Sequence, residues 1–361
     1  MTRHDIPTPA LLVDVPALDR NIARMARFFA GLPCKLRPHF KAHKTPEIAR
    51  RQLAAGSCTG ITCATVSEAE IVAEVCNDLL IANEIIGEAK CARVAALASR
   101  VTVTIAIDSP AGLAHIGEAA IKAGTTVGVL IDVNVGQERC GMKPGEDALA
   151  LARVAAATPG VSLRGVMGYE GHLQPVPDRS ERAQLALAAM RELTTTADLL
   201  RSAGLTCDIV SAGGTGTFDI SGRVPGVTEI QAGSYALMDT DYGRLDLPFE
   251  PAFSVLGTIV SRPTADRCVA DCGHKSMTKD HGLPAVKTIP GATVTSLNDE
   301  HAVISLPLGA SISIGDRVEL LPSHTDPTVN LHDVFYAMDG DEVVGVWPIA
   351  ARGYRVPERL V

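Results

Sequence analysis

The amino-acid sequence predicts an α/β protein: a (β/α)8 barrel of the TIM type followed by a smaller, mainly β domain. Three observations predict it. As far as Tyr242, short runs rich in β-branched and apolar residues alternate with Ala/Leu/Glu-rich segments of helical spacing. Eight such strands within about 220 residues is the count that a (β/α)8 barrel requires. Beyond Tyr242 the helical spacing almost disappears, and alternating or continuously apolar runs are broken by turn residues. A chain of 361 residues exceeds one ordinary core. The reading is a barrel over 16–245 and a β domain over 246–361 that also takes in residues 1–15.

In chain order, the run 8–15 is extended and is assigned to the β domain, because it precedes the first barrel helix at about 18–30. The barrel strands are placed at 36–40, 60–66, 79–83, 101–108, 126–133, 163–170, 207–212 and 229–236. Apolar residues spaced i, i+3, i+4 place helices at 46–55, 67–75, 88–98, 110–123, 145–157 and 180–203. The connection 215–228 is too rich in Gly and Pro for a long helix. An open doubly wound sheet is the runner-up, but it would place a Gly-rich turn after its first strand, where this chain has Lys41. In the β domain the runs 252–260, 267–271, 302–306 and 318–321 are separated by turn signals at Pro263, Gly282, Asn298-Asp299 and Gly315-Asp316.

Composition excludes several classes of function. Hydrophobic residues make up 46% and charged residues 20%, as in a folded globular chain. A net charge of -8 leaves no basic surplus for nucleic acid. No apolar run approaches the roughly 20 residues of a membrane helix. Asp5, Pro7 and Pro9 stand where a signal peptide would have its apolar core, so a cytoplasmic location is expected. The 9 cysteines are scattered without a CxxC pair, which reads as small buried hydrophobes rather than disulfides or a zinc ribbon.

Barrel enzymes place their chemistry at the C-terminal ends of the strands. After strand 1 comes Arg37-Pro38-His39-Phe40-Lys41-Ala42-His43-Lys44-Thr45-Pro46, and Pro46 suits the first position of a helix. Neighbouring cations and burial both disfavour an ammonium, so Lys41 is a candidate amine nucleophile for Schiff-base chemistry. The alternative is a solvated basic face. After strand 5 comes Arg139, after strand 6 come Tyr169, Glu170 and His172, and after strand 7 comes Gly213-Gly214-Thr215-Gly216-Thr217. The end of strand 8 carries Gln231, Gly233, Ser234 and Tyr235. Two Gly-rich, hydroxyl-bearing turns suit a phosphate, because backbone amides approach closely where no Cβ intervenes. Opposite Lys41, they point to a phosphate-bearing aldehyde, pyridoxal 5'-phosphate, with its phosphate on 213–215 and 233–235. Arg139 is placed against the ring's phenolic oxygen, or else in a surface ion pair with Glu138. Tyr169 or His172 flanks the ring, and for Tyr169 the alternative is packing in the barrel mouth.

A second group lies in Pro322-Ser323-His324-Thr325-Asp326-Pro327. In an extended segment His324 and Asp326 point to one side. Imidazole plus carboxylate suits a divalent cation such as Mn2+ or Mg2+. His332 and Asp333 are either second-layer partners or exposed.

Taken together, RPHFKAHKTPEIA, VGQERCG, SAGGTGT, QAGSYALMDTDYG, NDEH and PSHTDPTVNLHD resemble the D-threonine aldolase branch of the alanine-racemase-like (fold type III) pyridoxal-phosphate enzymes. That branch also contains D-serine dehydratases and 3-hydroxyaspartate-active enzymes. The resemblance spans nearly the whole chain. It implies a Schiff base at Lys41, an O3′ contact from Arg139, and phosphate contacts around Thr215, Gly233 and Ser234. It further implies a cation on His324 and Asp326 and a homodimer. The related dehydratases typically carry His-x-Cys with zinc, whereas this chain has His-x-Asp, the aldolase pattern. The implied reaction is metal-assisted cleavage of a D-3-hydroxy amino acid to glycine and an aldehyde. The proton acceptor is left open among His43, His39, His172 and a metal-bound water, and the partner of the pyridine nitrogen is unassigned. The rivals are a dehydratase releasing a 2-keto acid and ammonia, a racemase, and a non-catalytic pyridoxal-phosphate carrier.

Overall fold

The structure, a computed structural model, describes residues 1–354. By its contacts the chain forms two compact units, one of residues 25–41 with 49–233, the other of residues 1–24 with 42–48 and 234 onward. Among the described residues no helix is long and apolar enough to cross a membrane. The chain opens with β1 (Ala10–Asp14), all apolar up to its last residue, and turns directly into α1 (Val15–Ala30). The Asp14 carboxylate accepts the Ala17 amide proton at 2.9 Å and so caps this helix. Leu18, Ile22, Met25 and Phe29 recur at helical spacing and are buried.

The first unit is a parallel eight-stranded barrel. In order it contains β2 (Lys35–Leu36), α2 (Pro46–Ala54), β3 (Ile61–Cys63), α3 (Val66–Val72), β4 (Asp78–Glu84) and α4 (Glu88–Leu97). There follow β5 (Thr102–Ile107), α5 (Pro110–Ala123), β6 (Val127–Asp132), α6 (Glu146–Ala157), β7 (Val161–Gly168), α7 (Arg179–Ser202), β8 (Ile209–Ala212), α8 (Phe218–Ser221) and β9 (Glu229–Ile230). The strand order is β2-β9-β8-β7-β6-β5-β4-β3, and bridges from Leu36 to Cys58 and from His39 to Thr62 close the ring. The helix starts follow local chemistry. Thr65 accepts the Glu68 amide proton while the Glu68 carboxylate accepts that of Ala64. Ser109 caps α5, which has Pro110 in its first turn and Gly124 in the left-handed region at its end.

The first and last strands are shorter than the expected 36–40 and 229–236. Pro38 has no amide to donate, so regular pairing lapses there. The ladder resumes beyond it, with the His39 amide donating to Ala232 O at 3.0 Å. After Gly233 the chain coils into a 3-10 turn at Ser234–Ala236 instead of extending.

At the opposite end of these strands Arg37 is buried, 2.8 Å from Glu229 and 2.8 Å from Asp78. Burial alone would weaken this guanidinium's hold on its proton, yet the two carboxylates more than offset it and raise its pKa. All the cysteines are free, and only Cys140 is exposed. Burial pushes the Cys34, Cys58 and Cys272 thiols up to about 12, which leaves them inert as thiolates.

The second unit is built on antiparallel strands, namely β10 (Phe253–Thr264), β11 (Arg267–Ala270), β12 (Ala285–Val286), β13 (Thr293–Leu297), β14 (Ala302–Ser305) and β15 (Arg317–Leu321). After α9 (Thr325–Val329) come β16 (Val334–Asp339) and β17 (Glu342–Pro348). β10 pairs with both β11 and β15, so β10, β11, β14, β13, β12 and β15 close a second ring. β1 joins that ring on the other side of β10 and is followed in the sheet by β16 and β17. The apolar run at 8–15 therefore belongs to the β sheet, antiparallel to β10 and parallel to β16. The short helix α9 departs from the nearly helix-free reading of this region, because 5 residues are too few to show a helical period.

Replacing Arg37 by Met would leave Glu229 buried without its counter-charge. The expected loss is about 3–5 kcal/mol of barrel stability, measured as a lower urea midpoint; an unchanged midpoint would show that the triad does not hold the barrel together.

Candidate active site

In the barrel unit, Lys41 lies in the 3-10 turn Phe40–Ala42 that follows the β2 ladder, and it is half-buried. The Lys41 amide points at His39 Nδ1, 3.4 Å away. The loop after β6 is shaped by Asn134, whose side-chain oxygen accepts the amide protons of Gly136 (3.0 Å) and Glu138 (3.2 Å). Glu138 takes a left-handed backbone, φ 54°, and its carboxylate is held by Asn134 Nδ2 at 3.0 Å rather than by Arg139. The Arg139 guanidinium sits 5.9 Å from the centre of the Tyr169 ring, so the structure brings these two expected residues together.

The same rim holds an acidic group that the sequence reading passed over. Ligand atoms of Glu84, Asp108 and Cys140 lie within 4.8 Å of one another. Beside them the Asp132 carboxyl is pushed well above the usual range, first by burial and then by Glu84, while Arg139 pulls it down. Glu84 ends β4 and Asp132 ends β6, and Asp108 directly follows β5, so reading the ends of those strands would have found all three.

The Gly-rich turn after β8 is held from the loop after β7. Glu170 is fully buried. It accepts the Gly213 amide proton at 3.1 Å and the hydroxyl protons of Thr217 at 2.7 Å and Ser221 at 2.6 Å. Thr217 Oγ1 in turn accepts from the Gly214 amide at 3.3 Å and from Gln174 Nε2 at 3.1 Å. Gln174 Oε1 accepts the Gly216 amide proton at 2.7 Å, and Arg182 Nε donates to Gly216 O at 3.0 Å. Gly213 has φ +76°, and a Cβ there would meet the Ile230 side chain at 2.7 Å, so glycine is required. The amides of all three glycines are thus held within the protein. Gln231, expected at the cofactor, donates to Ser211 Oγ at 2.8 Å. An amine at a strand end, a guanidinium over an aromatic ring and a buried, rigid Gly-rich turn fit pyridoxal phosphate.

In the β unit His43 is buried, and its Nδ1 accepts the Thr45 amide proton at 3.2 Å. The Ser234 carbonyl accepts the amide proton of Met238 at 2.7 Å, and Tyr235 is buried with its ring 5.6 Å from Phe249. His324 is extended (φ -147°, ψ 122°), but Asp326 stands inside the first turn of α9, so the expected extended His-x-Asp arrangement is corrected. The cause is Asp239. Its carboxylate accepts both the amide (2.8 Å) and the hydroxyl (2.9 Å) of Thr325 and so starts the helix between His324 and Asp326.

Around His324 the structure gathers residues that the sequence reading missed. His324 Nδ1 is 2.6 Å from Asp280 Oδ2, and its ring stacks on His281 at 4.2 Å between centroids. His281 Nδ1 is 2.8 Å from Asp241 Oδ2. Burial works against the Asp280 carboxylate, but hydrogen bonds from Thr278 and His324 outweigh it and hold its pKa below the usual range. Ligand atoms of Asp280, His281 and His324 fall within 4.8 Å of one another, so imidazole and carboxylate groups of the kind that suit Mn2+ or Mg2+ surround His324, with Asp280 bonded to its Nδ1. The adjacency Asp280-His281 and the alternation Asp239-x-Asp241 were the available signals. His332 is tied to Ser276 O at 2.7 Å, and Asp333 pairs with Arg352, so neither belongs to this group.

The family "Alanine racemase, N-terminal domain" matches residues 13–241, and "Putative serine dehydratase domain" matches 252–338. A D-threonine aldolase of Arthrobacter sp. is 41% identical, with 97% of this chain and 93% of the relative covered. A 3-hydroxy-D-aspartate aldolase of Paracoccus denitrificans (strain Pd 1222) is 33% identical over 98% of this chain and 94% of its own. The crystal structure of D-threonine aldolase from Filomicrobium marinum superposes with a TM-score of 0.94 at 36% identity, covering 98% and 97% of the two chains. The chain therefore belongs to the alanine-racemase-like pyridoxal-phosphate enzymes, on the D-threonine aldolase branch.

Proposed function

We propose that this chain cleaves the Cα–Cβ bond of D-3-hydroxy amino acids of the D-threonine kind, giving glycine and an aldehyde, as a cytoplasmic homodimer. The observation that carries this reading is the imidazole–carboxylate group around His324 in a chain whose barrel presents Lys41 at a strand end. Racemisation has no use for a cation on the substrate hydroxyl, whereas cleavage next to a hydroxyl is assisted by one that lowers that hydroxyl's proton affinity.

When bound, pyridoxal phosphate supplies an aldehyde for the substrate's amino group and a ring that takes up the electron pair left on Cα. Lys41 is the amine that holds it, with Arg139 and Tyr169 beside the ring and Thr215, Gly233 and Ser234 at the phosphate. A divalent cation lowers the proton affinity of a bound hydroxyl. His324 and Asp326 hold that cation. Asp280 keeps the Nδ1 proton of His324 in place, so that Nε2 is the donor toward the metal. The acceptor of the hydroxyl proton is His172 or a metal-bound water. Of the three candidate imidazoles His172 is the exposed one, whereas His43 is buried and His39 Nδ1 faces the Lys41 amide. A dehydratase is the second reading, favoured by the match of 252–338 to a serine dehydratase domain; it would use the same groups to expel the hydroxyl.

Product analysis on D-threonine with and without Mn2+ separates the two readings. Glycine plus acetaldehyde is expected, and a 2-keto acid with ammonia would establish the dehydratase. Lys41→Ala is expected to lose the visible absorbance of the bound cofactor together with activity. His324→Ala, or exhaustive chelation with EDTA, is expected to abolish activity while that absorbance persists; full turnover without a cation would reject the metal step. Asp280→Ala is expected to weaken Mn2+ binding by about 10–100-fold in a calorimetric titration, with the thermal midpoint retained.

A further inference from the structure

We propose that Glu170 is the positioning residue of the phosphate-binding turn: it sets the shape of 213–217, with both carboxylate oxygens bonded to the segment 213–221. This rests on the reading of that turn as the phosphate site.

A carboxyl group just beyond the end of β7 invites assignment as the partner of a pyridine nitrogen. The hydrogen bonds point elsewhere. Glu170 Oε2 takes the Gly213 amide proton, and Oε1 takes both the Thr217 and the Ser221 hydroxyl protons. A carboxylate accepts and does not donate, so three converging donors are what a buried one needs. Thr217 passes this constraint on, because the hydroxyl that donates to Glu170 also accepts from the Gly214 amide. The peptide at 213 is thus set by Glu170 directly and the peptide at 214 through one hydroxyl, while Gln174 and Arg182 hold the two sides of Gly216. Ser221 ties the same carboxylate to α8, so turn and helix move as one piece.

A turn ordered during folding does not have to be ordered again when an anion arrives, which raises affinity for the phosphate in particular. Glu170→Gln keeps the volume but puts two N–H donors where one oxygen accepted. A side-chain amide then faces either the Gly213 amide or a hydroxyl that must reverse, and the turn loosens. The effect should fall on the phosphate and spare the pyridine ring, the aldehyde and Lys41.

The test titrates the cofactor-free full chain, wild type and E170Q, with pyridoxal 5'-phosphate and separately with pyridoxal, following visible absorbance. The wild type is expected to prefer the phosphorylated form strongly. E170Q is expected to lose about tenfold or more of its affinity for pyridoxal phosphate and none for pyridoxal. Equal losses for both ligands, or no loss for either, would overturn the assignment. A wild type that does not distinguish the two would overturn the phosphate reading itself, and this inference with it. Should E170Q fail to fold, Ser221→Ala, which removes one of the three donors, is read in the same way.

Discussion

Arg37 holds its guanidinium out of water between Glu229 and Asp78, and the barrel's geometry depends on this contact. Taking three charges out of water is costly, and an apolar cluster of the same volume would do as well for stability alone. What the triad adds is position. It joins the first strand to the last and to the start of β4, where the two shortest strands of the ring meet and backbone pairing is thinnest. Lys41 follows Arg37 by only one turn of chain. A slip in register there would carry the amine out of place with it.

Both candidate centres are prepared in the same physical way. In each of them a carboxylate on another segment holds part of the candidate site in place. Glu170 stands behind the Gly-rich turn, Asp280 behind His324, Asp241 behind His281, and Asp239 behind the start of the helix that presents Asp326. Carboxylates suit this work because they only accept, so they fix which nitrogen or amide carries the proton. These residues lie far in sequence from the groups they orient.

A thiolate beside the metal imidazole favours softer ions, whereas a carboxylate favours ions that keep water and oxygen ligands. Asp241 and Asp280 stand close to His281 and His324, so a cation held there would meet the second kind of environment.

Periodicity and local chemistry were enough to read the alternation of strands and helices, the change of texture after Tyr242 and the caps at Thr65 and Ser109. They were also enough to single out Lys41, Arg139, the Gly-rich turn and the His-x-Asp motif, because each of these signals is written within a few consecutive residues. The sequence pattern said nothing of Glu170 reaching the turn, of Asp280 and His281 joining His324, or of Asp239 coiling the metal motif into a helix. Those contacts join residues more than 40 positions apart, and no local period records a partner at that range. Only the closing of the two sheets brings them within hydrogen-bonding distance, and at that point burial decides which polar groups must meet.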